Sequence, residues 1–236
     1  MTTAELGLRE RKKQRTRALI AETARRLFTE RGFDGVTVAE VARAAEVSQK
    51  TVFNYFPTKE DLVYWRLESF EDELRAAIRE REPGQSVLAA FAEFVLVPRG
   101  LLAEQDPEAA EQLAALTRMI TASQALLERE RQIFERCTAS LATLIAEETA
   151  ARPDDIQPWV AANALMGVHR ALLDTTRHGV LTGRRDTSLA ADVRAQAERA
   201  ITRLERGLGD YAIKPPPWSK QATAGQDLGR GRGEAP

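Results

Sequence analysis

Residues 48–55 pack Ser48, Gln49, Lys50, Thr51, Asn54 and Tyr55 into about two helical turns. Amide, ammonium and hydroxyl groups at this spacing suit the reading of polar edges and anions, not covalent or acid–base chemistry. Catalytic alternatives elsewhere are thin. The two histidines, His169 and His178, lie nine residues apart and would point to opposite sides of a helix. No metal-ligand cluster, nucleophile elbow or phosphate loop occurs in the sequence. The chain is therefore expected to be no enzyme, to hold no metal and to need no cofactor. Cys137, the single cysteine, excludes an internal disulfide. On an apolar stripe with Phe134 and Leu141 it reads as an inert thiol.

The stretch 37–62 must position the polar run, and it reads as two short helices, a tight turn between them, and the start of a third. Thr37 and Glu40 have the spacing of a capping box. Val38, Val41, Ala42 and Ala45 follow at helical spacing, Glu46-Val47 forms the turn, and Ser48 caps the next helix. In that helix Val52, Phe53 and Phe56 are expected to face inward, leaving Gln49, Lys50, Thr51, Asn54 and Tyr55 outside. Pro57 stops it, and Thr58-Lys59-Glu60-Asp61 is a second capping box. A helix, a short turn and a donor-rich second helix is the layout that sets a recognition helix in the DNA major groove. An ordinary helical hairpin shows the same two caps. Lys50 and Lys59 flank the second helix at positions suited to phosphates, and no carboxylate interrupts its outer face.

The net charge of −1 over 236 residues conceals an asymmetry. Residues 9–17 are strongly basic, either a solvated charge run or a contact to phosphates and the minor groove. Residues 1–8 are expected to be disordered. A first helix over 14–31 carries Ile20, Ala24, Leu27 and Phe28 on one face. Gly32 is placed to end it and Phe33 to join the small core. There is no signal-peptide pattern, and no apolar run approaches the roughly eighteen residues of a membrane span. A cytoplasmic protein is expected.

A helix over 59–81, with a stripe of Val63, Leu67, Phe70, Leu74 and Ile78, leads from this head into a body. Segments 87–97, 107–122, 124–151, 154–179 and 188–208 have 3.6-residue apolar periodicity. Asp106-Pro107 and Asp154, with Gln157 three residues on, are expected starts. No strand pattern occurs, so the fold class is all-α. Trp159, Val160, Ala164, Leu165, Met166, Val168, Leu172 and Leu173 cover almost the whole circumference of the 154–179 segment. Such a helix is buried on all sides. Gly167 and Ala171 would admit a close neighbour. Leu189, Val193, Ala197, Ala200, Ile201, Leu204 and Leu208 form a stripe on the last helix. These stripes belong either to a monomer core or to a partner interface. Residues 214–236, rich in Pro and Gly and including Trp218, are expected to be a disordered tail.

Residues 15–63 closely resemble the N-terminal domain of the TetR family of transcriptional regulators. The matching features run in order: Ala24, Leu27-Phe28, Gly32-Phe33, Thr37-Val38, Val41-Ala42, Val47-Ser48, Thr51-Val52-Phe53, Tyr55-Phe56-Pro57 and Lys59. Glu46 departs from the pattern, standing where the family usually has glycine. The resemblance implies a basic flexible arm over 1–13, a helix-turn-helix domain over 14–58, and a helical ligand-binding and dimerisation domain over 59–213. Motif to motif, Gln49, Lys50 and Asn54 would reach base edges, while Thr37, Ser48, Thr51, Tyr55 and Lys59 would contact phosphates. The family implies a homodimer on a palindromic operator in double-stranded DNA, paired through helices 154–179 and 188–208. It also implies a mainly apolar small-molecule effector, most often acting on a repressor. Candidate ligand residues are Phe91, Phe94, Met119, Phe134, Trp159, Asn163, Met166, His169 and Arg170. For each apolar one, plain core is the competing reading.

Overall fold

The structure, a computed structural model, describes residues 3–103, 107–184 and 187–216. Among these residues all regular structure is helical. The head consists of α1 (Thr3–Arg31), α2 (Val38–Ala44) and α3 (Gln49–Tyr55). Helices of seven residues do not persist alone, so caps and a shared core must hold α2 and α3. The core is Ile20, Ala24, Phe28, Phe33, Val41, Ala42, Val52 and Phe56, all buried. At the start of α2 the Glu40 amide donates to the Thr37 hydroxyl at 3.3 Å, and the Thr37 amide donates to the Glu40 carboxylate at 2.8 Å. Arg31 grips the other Glu40 oxygen at 2.6 Å. That guanidinium, with the Thr37 amide and hydroxyl, brings the Glu40 carboxyl down to about 2. Ser48 caps α3 by accepting from the Thr51 amide at 3.0 Å.

The turn between α2 and α3 passes through Glu46 at φ 55°. A side chain in this left-handed region costs about 1–2 kcal/mol. The Val47 amide donates to Ala42 O at 2.9 Å and closes the turn over it. Gly32, at φ 76°, ends α1 as its position predicts, its amide donating to Phe28 O at 2.9 Å. The start of α1 differs from expectation. The helix reaches back to Thr3, well ahead of Gln14, so residues 3–13 are not a flexible arm here. That segment has no proline and is rich in Ala, Leu, Glu, Arg and Lys, strong helix formers. The Thr16 hydroxyl bonds back to Lys12 O at 3.0 Å along the same helix.

α4 (Asp61–Arg79) carries the chain into the body, formed by α5 (Val87–Val95), a 3-10 turn at Gly100–Leu102, α6 (Pro107–Ala122), α7 (Gln124–Thr149), α8 (Gln157–Leu181) and α9 (Thr187–Leu208). α8 packs against α7 and α9. Leu74 and Ile78 of α4 meet Phe91, Ile133, Leu141, Ile145 and Leu165 in one core continuous with the head. α8 begins three residues later than expected. Residues 152–155 close a turn, with the Asp155 amide donating to Arg152 O at 3.0 Å. Asp155, not Asp154, then accepts from the Gln157 amide at 2.9 Å. Asp106, the expected cap of α6, lies outside the described residues, as does Trp218. No helix among the described residues is long and apolar enough to cross a membrane.

Three polar joints tie α4 to its surroundings. Asp61, 2% exposed, accepts from the Thr58 amide at 2.9 Å with one oxygen, and from Arg129 of α7 at 2.7–2.8 Å with the other. Tyr64 donates to Leu126 O at 2.9 Å and lies against Glu130, which forms a bidentate pair with Arg177 of α8. Just past α4, buried Arg81 pairs with Glu148 at 2.6 Å and donates to Ala212 O at 2.9 Å. The chain after α9 therefore folds back onto the end of α4. Lys214, expected as the first residue of a loose tail, exchanges backbone hydrogen bonds with Gly84 (2.8 Å) and Gln85 (3.1 Å).

A buried ion pair is costly to break because the surviving charge is stranded. Arg129→Ala leaves the Asp61 carboxylate without its cation. The variant should lose about 3–5 kcal/mol of unfolding free energy in urea titration. A loss under about 0.5 kcal/mol, the range of ordinary surface changes, would show that the pair does not anchor α4.

Candidate nucleic-acid interface

The outer face of α3 follows from helix geometry. At about 100° per residue, Gln49 and Phe53 fall on one line, with Lys50 and Asn54 on the next. All four are exposed, whereas Val52 and Phe56 are buried. Phe53, expected inside with them, is 47% exposed and sits in the middle of the outer face. Tyr55 is half-buried against the core instead. Two apolar positions one turn apart, 52 and 56, suffice to seat so short a helix. Position 53, rotated 100° away, stays in solvent. An angular plot of residues 49–57 contains this information; hydropathy alone does not.

The remaining candidate contacts form the rim. Thr37 and Ser48 are exposed at the two caps, and Thr51 is partly covered with its hydroxyl 2.8 Å from that of Ser48. Lys59 lies with its ammonium 4.1 Å from the Phe33 ring centroid and 5.9 Å from that of Phe28, a cation–π site at the edge of the head. α3 itself carries no carboxylate. Exposed Arg11, Lys12, Lys13 and Arg15 follow along α1. A donor-rich helix at the surface of a small capped head, with basic residues beside it, has the geometry of a groove-reading module.

The body divides the ligand candidates. Phe134, Trp159, Asn163, Met166 and Arg170 line one open groove of about 320 Å³ between α7 and α8, with Arg131, Glu135, Thr138 and Gly167. The Asn163 amide donates to Trp159 O at 2.8 Å. Phe91, Phe94, Met119 and His169 do not line it. Phe91 is fully buried, Phe94 nearly so and Met119 half-buried. His169 stacks on Phe70 of α4 at 4.3 Å and lies 5.5 Å from Phe134, while Phe70 meets Phe94 edge-on at 5.3 Å. Burial, and then the Arg99 charge, lower the His169 imidazole to about 4. Cys137 is buried beside the Glu71 carboxylate at 3.7 Å. Burial foremost pushes its thiol up to about 12. The α4 joints, Asp61–Arg129 and Tyr64–Glu130–Arg177, were not legible beforehand.

Head and body together have the layout of a helix-turn-helix DNA-binding domain joined to a helical body. Residues 20–64 match the model of the bacterial regulatory proteins of the tetR family. The HTH-type transcriptional regulator TcmR of Streptomyces glaucescens is 28% identical over 169 residues, 70% of this chain and 75% of that protein. The HTH-type transcriptional repressor NicS of Pseudomonas putida is 28% identical over 98 residues, 39% of this chain and 46% of its own length. Among solved structures, NalD of Pseudomonas aeruginosa, the secondary repressor of the MexAB-OprM multidrug efflux pump, superposes with a TM-score of 0.51. That likeness, at 20% identity over 83% of this chain and 98% of NalD, speaks to fold alone. Residues 20–64 are thus similar to the DNA-binding domain of the tetR family, and these comparisons support a TetR-like transcriptional regulator.

The stacked His169 has a consequence for acid stability. Its folded value of about 4 lies below the ordinary 6.5. Between those values the unfolded chain binds a proton that the folded chain refuses. The contribution is complete above 6.5 and is lost progressively as pH falls from there through 4, on the order of 3 kcal/mol in all. His169→Phe should show a shallower fall in unfolding free energy from pH 7 to pH 4.5 than the wild type, measured by urea titration. Parallel pH profiles would show that the imidazole is not desolvated.

Proposed function

We propose that the chain is a homodimeric repressor that binds a palindromic operator and is released by a mainly apolar small molecule. The observation that carries this reading is the outer face of α3, where Gln49, Lys50 and Asn54 stand exposed with no carboxylate on the helix. Glutamine and asparagine can each pair with adenine through two hydrogen bonds, and lysine with the acceptors of guanine. Thr37, Ser48, Thr51, Tyr55 and Lys59 supply phosphate contacts that fix register. The repressor assignment is supported by the name of the NicS relative.

Dimerisation is supported by what α8 leaves in water. Trp159 and Val160 are about half exposed, and Gly167 and Ala171 lie on the open side one turn apart. A second copy packed on α8 and α9 would cover this stripe and present two α3 helices to two half-sites. The groove opens on the same side of α8, so the ligand sits beside the subunit boundary. Its effect reaches the head through α7 and α8, because Arg177, Glu130 and Tyr64 link those helices to the first turns of α4. A ligand preferring one arrangement shifts operator affinity by the same coupling energy, about 1–3 kcal/mol in typical systems.

The test is selection of duplexes from a random pool with the full chain, followed by anisotropy titration across a salt series. The expected result is an inverted repeat bound by two chains, with affinity falling steeply with salt. Lys50→Ala should weaken binding by about 1–3 kcal/mol per half-site while leaving thermal unfolding unchanged. Absence of any enriched sequence, with equal affinity for random DNA, would sink the reading.

A further inference from the structure

We infer that Phe53 is a base-reading residue that contacts the C5 methyl of a thymine in each half-site. The inference rests on the operator-binding reading above and deepens it. It starts from the one large apolar side chain that the fold places among donors. Phe53 is 47% exposed, on the same helical line as Gln49 and between that residue and Lys50 in angle. An approach that lets Gln49, Lys50 and Asn54 touch base edges therefore brings the Phe53 ring to the groove floor with them.

The ring's chemistry narrows what it can meet there. It has no donor or acceptor, so it cannot satisfy a phosphate oxygen or a base-edge polar atom. Placed against either, it would displace water and return nothing. The apolar feature of the major groove is the thymine methyl, for which a phenylalanine is a suitable contact. The neighbours agree with this placement. Asn54 and Gln49 are adenine-reading side chains, and an adenine read in the major groove brings its partner thymine's methyl into the same groove. The face thus combines adenine pairing by amides with methyl contact by the ring, and it selects A·T pairs beneath α3. A scattered exposed apolar residue on a protein surface needs no function. This one lies at the centre of the face that must be dehydrated for the neighbouring amides to work.

The experiment uses the duplex recovered by selection, with thymines replaced one at a time by deoxyuridine, which removes the methyl and leaves every hydrogen bond. For the wild type, one or two thymines per half-site should be sensitive, each replacement weakening binding about fourfold, the worth of one buried methyl-sized group. Phe53→Ala should bind the thymine operator about fourfold more weakly per half-site and be indifferent to deoxyuridine at those positions. Phe53→Leu, which keeps an apolar contact, should retain part of the sensitivity. Because the side chain is exposed, unchanged thermal unfolding of both variants is expected. A wild type insensitive at every thymine, or a Phe53→Ala variant with undiminished sensitivity, overturns the assignment while leaving operator binding intact. Failure to recover any selective duplex removes the operator-binding reading, and this one with it.

Discussion

The position of the head rests on a buried carboxylate. α2 and α3 have seven residues each and no rigidity of their own, so where they point is decided by what holds α4. Asp61 closes the cap between the end of α3 and the start of α4, and it also receives Arg129 from α7. One side chain thus bonds head, linker and body together. Buried ion pairs add little net stability over apolar packing of the same shape, but they tolerate only one geometry. That is what a reading head requires. Three residues on, Tyr64 repeats the arrangement and extends it through Glu130 to Arg177 on α8. Farther along, Phe70 stacks on His169, and past its end Arg81 binds Glu148 and the returning chain at Ala212. α4 is therefore held by charge near the head, by aromatic packing in the middle, and by charge again at its far end.

This arrangement gives the body discrete routes to the head. A shift of α7 against α8 cannot leave the Glu130–Arg177 pair and the Tyr64 contact both unchanged. Packed and hydrogen-bonded elements with distinct arrangements are what transmit coupling between sites. The groove lined by Phe134, Trp159, Asn163 and Met166 lies between those same two helices. The Phe134 that borders it also touches His169, which stacks on α4. Groove and head are joined by contacts that can be altered one at a time.

Much of the head was legible because its signals are local. The Thr37–Glu40 and Thr58–Asp61 boxes, the Ser48 cap and the Gly32 stop each depend on residues within four positions of one another, and each is found where the spacing puts it. The Glu46-Val47 turn is likewise found where the two caps put it, and Glu46 takes there the left-handed φ of 55° that suits the glycine usual in the family. Phe53 departs from expectation because hydropathy ranks a phenylalanine as core, whereas the short helix turns only positions 52 and 56 fully inward. Asp155 takes the place expected of Asp154 because the 152–155 turn sets its carboxylate against the Gln157 amide. The long-range joints have no local signature. Arg129, Glu130 and Arg177 look like ordinary charges on solvated helix faces until the fold brings them to Asp61 and Tyr64. Lys214 reads as part of a polar tail until its backbone meets Gly84 and Gln85.

The proposed homodimer requires two copies of this chain to hold two rigid heads at a spacing set by the body. The most direct measurement is the distance between heads by pulsed electron spin resonance. A spin label would sit at Arg43→Cys, exposed on α2 away from the α3 face, in a Cys137→Ala background. The account predicts one narrow distribution for the protein on its selected operator, centred within the label's reach of roughly 34 Å, one turn of the duplex, or a multiple of it. Absence of a dipolar signal would mean that no dimer forms. A broad distribution persisting on the operator would mean that the α4 joints do not fix the heads. Either result would contradict the account.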